Sequence, residues 1–134
     1  MTLTEVVVAT SITGLAILGI VSGYTYCTYS AQKAALSLAA HARAMERIEE
    51  TRSAKWDTSS FPAVDQLMAS NFPNRVVVLD RSGAGVATAS ASIQTEISTV
   101  ATNPPLKRIR VNCSWTFRGE AVVSTIETFR APDQ

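Results

Sequence analysis

The sequence predicts an α+β fold: one long N-terminal helix, partly hydrophobic and protruding, packed on a C-terminal antiparallel β-sheet. Three observations carry this expectation. Val6 to Val21 contains no charged residue. From Ala31 to Ile48 apolar residues recur every three and four positions, the spacing of one helix face. Between Arg108 and Phe117 they recur every second position, the spacing of a half-buried strand. The 134 residues suffice for one head and one extended element. The division predicted is residues 1–27 as a hydrophobic helix half, 28–54 as an amphipathic half, 55–74 as a connection and 75–134 as the sheet.

The apolar opening does not read as a removable leader, because residues 1–5 lack Lys and Arg and carry an acid, Glu5. The uncharged run is slightly shorter than the ~20 residues that cross a bilayer as a helix, but residues 1–3 and 23–26 extend it. Val, Ile and Thr are indifferent helix formers, and Gly14, Gly19 and Gly23 each cost about 1 kcal/mol relative to Ala, so packing or lipid must hold the segment helical. The spacing of Gly19 and Gly23 also suits close helix pairing. A carboxylate at the end of such a segment needs a cation. The nearest is the α-amino group of Met1, in the same chain or a neighbouring one, which would make Glu5 a register device.

The amphipathic half is expected to run to about Ser53. Its predicted stripe is Ala31, Ala34, Ala35, Leu38, Ala42, Met45 and Ile48, rich in Ala so that a sheet can approach closely. Arg43 with Glu46, Arg47 with Glu50, and Glu49 with Arg52 are spaced for ion pairs, read as solvated or intersubunit. Turn formers at 57–62 and 71–73 mark the connection, with one helical turn expected at 64–69. Strands are expected over 75–79, 85–100, 108–117 and 120–129. A turn at 80–83, a proline break at 103–105 and a tight turn at Arg118-Gly119 separate them.

Residues Thr2-Leu3-Thr4-Glu5-Val6-Val7-Val8-Ala9, with the uncharged stretch and amphipathic helix behind them, closely resemble the mature N-terminus of type IV pilins and type II secretion pseudopilins. The resemblance is specific over residues 1–30 and architectural beyond, and Met1 stands where the family usually has Phe. It implies a homopolymer built on the helix, an inner-membrane stage before assembly, and an extracellular filament serving motility, adhesion, DNA uptake or secretion. It also implies a prepilin peptidase, N-methylation of residue 1, an assembly platform, and docking through Glu5. Assembled relatives often lose helical bonding from about residue 14, so unwinding is expected near residues 14–22. The strand Val111 to Trp115 is similar to late strands of minor pilins and a minor pseudopilin, which makes an initiating or tip subunit the alternative.

Export would favour a Cys27–Cys113 disulfide clamping head to helix, with Cys27 on the stripe and Cys113 on an apolar strand face; two separate buried thiols is the other reading. A C-terminal disulfide loop is absent. For catalysis the chain offers one histidine, His41 among alanines, and no nucleophile or phosphate-loop motif, so no enzyme, cofactor or metal is expected. Lys107, Arg108 and Arg110 form a short basic patch that could capture DNA if repeated along a filament, or simply a solvated strand face. The net charge of +1 points to no partner. Asn112-Cys113-Ser114 matches a glycosylation acceptor, read as coincidence.

Overall fold

The computed structural model describes residues 2–81, 85 and 87–133. An α+β architecture is observed: helix α1 (Leu3–Ser53) followed by strands β1 (Trp56–Asp57), β2 (Val64–Asp65), β3 (Arg75–Arg81), β4 (Ala87–Thr102), β5 (Pro105–Phe117) and β6 (Glu120–Arg130). Two compact units divide the chain, Met1–Ala35 and Leu36–Gln134. In the first, residues 3–35 are helix, and the second is the head, in which the last turns of α1 cover a four-stranded sheet.

The sheet is antiparallel throughout, in the order β3-β4-β5-β6. Residues Arg118 and Gly119 join β5 to β6 with φ of 50° and 88°. Positive φ at both central residues is the hairpin geometry whose twist matches that of the strands, and Gly119 adopts it without steric cost. Strand β5 alternates as its sequence predicts: Ile109, Val111, Cys113, Trp115 and Phe117 are buried. Cross-strand partners Ile93 with Cys113, Thr95 with Val111 and Ile97 with Ile109 continue the covered layer into β4. The opposite face carries rows of polar partners, among them Glu96–Arg110–Glu127 and Gln94–Asn112–Thr125.

The helix covers this layer with a stripe other than the predicted one. Ala40, Ala44, Arg47, Ile48 and Thr51 are buried, and Leu36 packs against the core. Ala31, Ala34, Ala35, Ala42, Leu38 and Met45 are exposed, so of the predicted stripe only Ile48 faces the sheet. The physical reason is that two polar residues belong to the buried face. The Thr51 hydroxyl donates to the carbonyl of Ile48 at 2.7 Å, which satisfies it without water. The Arg47 guanidinium donates to Thr95 Oγ1, Glu50 Oε2 and the carbonyl of Pro73, and lies over the Phe72 ring. A buried charge so fully bonded is tolerated. Ala40 and Ala44 are fully covered, so a larger side chain there has no free space; Ala44→Leu is expected to lower stability by about 1–3 kcal/mol through overpacking, read as a shift in the urea midpoint.

The connection differs from expectation locally. Val64–Asp65 is an extended segment paired with Trp56–Asp57, and the helical turn falls later, as a 3-10 turn at Ala69–Asn71. Asp65 is held extended because its carboxylate accepts from Lys107 Nζ and from the Leu67 N–H. Strand β3 runs through Asp80 and Arg81, where a turn was expected; Ser82 and Gly83 lie outside the described residues.

Three carboxylates in the head are held by hydrogen bonds. Hydrogen bonds from the Ser59 hydroxyl and the Ser59 and Ser60 amides hold the Asp57 carboxyl below its usual range. Asp133 is held low by the Trp56 amide and then by Arg130, while its own N–H donates to the Trp56 carbonyl at 2.7 Å. Burial would raise Glu50, but hydrogen bonds from Arg47 and Arg75 prevail and lower it. A carboxylate whose folded pKa is depressed contributes stability above its unfolded value and loses it as pH falls through the folded one. Stability is therefore expected to be level above about pH 5 and to decline below about pH 4, with Asp133→Asn giving a flatter profile in urea melts.

Candidate assembly surface

Helix α1 is unbroken from Leu3 to Ser53, including residues 14–22, so the single chain does not unwind there. Three glycines at ~1 kcal/mol each do not interrupt a ladder of this length, and an added Cβ at Gly14, Gly19 or Gly23 would meet nothing within 4 Å. Every described residue from Thr2 to Cys27 is exposed. Leu3, Val6, Val7, Val8, Ile12, Leu15, Ile17, Leu18, Ile20 and Val21 are each at least half exposed. The helix is long and apolar enough to cross a membrane.

Its hydroxyls are turned back onto the helix. Thr10 donates to the carbonyls of Val6 and Val7, Ser11 to Val7 and Thr13 to Ala9, all within 3.0 Å. Thr25 and Thr28 do the same one turn apart further along. The apolar surface thus presents few unsatisfied polar groups.

Glu5 is occupied within its own chain. Its Oε2 accepts from the Thr2 N–H at 2.8 Å, while the Glu5 and Val6 amides donate to the Thr2 carbonyl. Thr2 with Glu5 three positions on is a capping-box spacing, and here the carboxylate supplies its half: it satisfies an orphan donor and sits where the helix dipole favours negative charge. Read for charge alone, the sequence does not reveal this second role, although the Thr-x-x-Glu pattern announces it. The Met1 ammonium, the predicted partner of Glu5, lies outside the described residues.

The other candidate residues separate. The basic patch is not a patch: Lys107 is 8% exposed on the covered face, bonded to Asp65 and the carbonyl of Leu67, with its ammonium 4.8 Å from the Trp56 ring. Strand alternation sends neighbours to opposite faces, so only Arg108 and Arg110 share the open side, and Arg110 is paired with Glu127 at 2.9 Å. Removing the ammonium in Lys107→Met should cost about 2–4 kcal/mol, since it strands the Leu67 carbonyl and unlocks the connection; thermal melts of the two chains measure it.

The disulfide expected between Cys27 and Cys113 is not formed: both are free, Cys27 exposed and Cys113 buried. Cys113 stands between Ile93 and Ser124 in the covered layer, where burial pushes its thiol up and keeps it protonated. His41 is exposed on α1. Asn112 lies on the open face, where it donates to Glu96 and accepts from Thr125, while Cys113 beside it is buried. Among the described residues no three His, Cys, Asp or Glu side chains are grouped to hold a metal ion. No family model, curated protein or solved structure matches the chain.

Proposed function

We propose that this chain is a structural subunit of an extracellular type IV pilus filament, held in the inner membrane before assembly and polymerised through its N-terminal helix. Assembly is then its activity, and no catalytic role is assigned. The observation that carries this reading is the apolar stretch of α1, exposed on every side in the single chain. Burying each large aliphatic side chain is worth about 1.5–3 kcal/mol, so the ten between Leu3 and Val21 represent on the order of 20 kcal/mol awaiting an apolar environment. A bilayer supplies it before assembly and neighbouring helices supply it afterwards.

In this reading the assembly platform and prepilin peptidase are partners by resemblance, and Glu5 exchanges its bond to Thr2 for the ammonium of a neighbouring Met1. Filaments sheared from native cells should contain this chain as the dominant protein, beginning at an N-methylated Met1 by peptide mass spectrometry. Recovery only in the membrane, with a longer N-terminus, would sink the reading.

Cys113 is the one cysteine in residues 36–134, so the head has no C-terminal disulfide loop of the kind many major subunits carry, which favours a second reading as a minor pilin or type II secretion pseudopilin at the filament tip. Trace abundance in the same sheared fraction would select it.

A further inference from the structure

We propose that Tyr24 and Tyr26 hold α1 at a lipid–water interface, so that the stretch from Leu3 to Gly23 spans the hydrocarbon of a bilayer. The inference rests on the membrane stage of the reading above and adds the depth of the helix and the residues that set it.

The 21 residues from Leu3 to Gly23 rise about 31 Å as a helix, against about 30 Å of bilayer hydrocarbon. No charged residue lies between Glu5 and Lys33, and the hydroxyls of Thr10, Ser11 and Thr13 inside the span donate to helix carbonyls three and four residues back, as lipid demands of polar groups. Glu5 falls in the first turn, at the opposite surface, where its capping bond and the helix dipole lower the cost of its charge.

The tyrosines decide between a surrounding medium and a one-sided partner. At 3.6 residues per turn, Tyr24 and Tyr26 point about 160° apart, yet both are 70% exposed. A neighbouring helix covers one face and leaves the other tyrosine unused. A lipid interface surrounds the helix at one depth and accepts the ring on the apolar side and the hydroxyl on the wet side of both. Thr25 between them donates to the Ser22 carbonyl, so it adds no competing polar group.

The test uses the full chain in vesicles of mixed phosphatidylcholine and phosphatidylglycerol. Cys27 is an exposed thiol just beyond the tyrosines, and Cys113 is covered, so a nitroxide label goes to Cys27 without mutation. Collision rates with oxygen and with a polar nickel complex report its depth, and a label at Leu15→Cys in a Cys27→Ser chain reports the centre of the span. The label at 27 is expected at headgroup level, with several-fold greater nickel accessibility than the label at 15. In the Tyr24→Ser, Tyr26→Ser chain the nickel-to-oxygen ratio at 27 should change at least twofold, and Tyr→Trp at both positions should restore it.

A label at 27 buried in hydrocarbon, a ratio unmoved by the double serine substitution, or a chain that does not enter vesicles overturns the proposal. The filament reading is judged separately from the sheared fraction: filaments together with an unmoved ratio would overturn the tyrosine assignment alone.

Discussion

Glu5→Ala is expected to abolish filament formation, at least a hundredfold by the amount of chain in the sheared fraction, while the head keeps its melting temperature within about 1 °C. The carboxylate is far in sequence from the core residues Ala40 to Trp115, so the head does not depend on it. Two losses act at the N-terminus. The Thr2 N–H loses its acceptor, worth about 0.5–2 kcal/mol for a helix cap. In the proposed assembly the neighbouring ammonium also loses its counter-ion inside an apolar bundle, where an uncompensated charge costs several kcal/mol. Glu5→Gln separates them, because an amide oxygen still caps Thr2 but does not neutralise an ammonium. Full assembly of the glutamine chain would assign Glu5 a capping role only.

Ile109→Ala should destabilise the head by about 2–5 kcal/mol. Ile109 is fully buried on the covered face of β5, opposite Ile97 on one side and Thr128 on the other. Its removal opens a cavity in the buried cluster it shares with Ala40 and Ala44, whose short side chains cannot move in to fill it. Urea melts of both chains, compared at constant slope, measure the loss. A change below 1 kcal/mol would mean that the layer collapses around the cavity and that helix and sheet are less rigidly fitted than their burial indicates.

The sheet was legible in the sequence because its signals are local. Alternation from Ile109 to Phe117 needs only a two-residue period, and Arg118-Gly119 needs only the chemistry of a tight turn. The helix face was misread because its burial is decided by distant partners. Arg47 is buried on account of Thr95 and Pro73, 48 and 26 residues away, and no hydropathy pattern ranks an arginine above Leu38. Alanine, common on both faces of α1, carries little information about which side is covered. Lys107 was grouped with Arg108 by adjacency, although the strand period already separated them; the pull of Asp65 and Trp56 on it was invisible. The connection was obscure for the same reason, since Trp56 is held by Asp133 from the far end of the chain.

The row Glu96–Arg110–Glu127 across the open face of the sheet has a consequence for polyanions. With Lys107 turned inward, that row and its neighbour present two guanidiniums, Arg108 and Arg110, against two carboxylates. A nucleic-acid strand laid there would meet an acid on either side of Arg110 and would release few counterions, so its retention should hardly respond to added salt. Repetition along a polymer multiplies this balance as faithfully as it would multiply an excess. In the filament proposed above, each such face would add two positive and two negative charges, so this face alone would give phosphate chains no net charge to gather on.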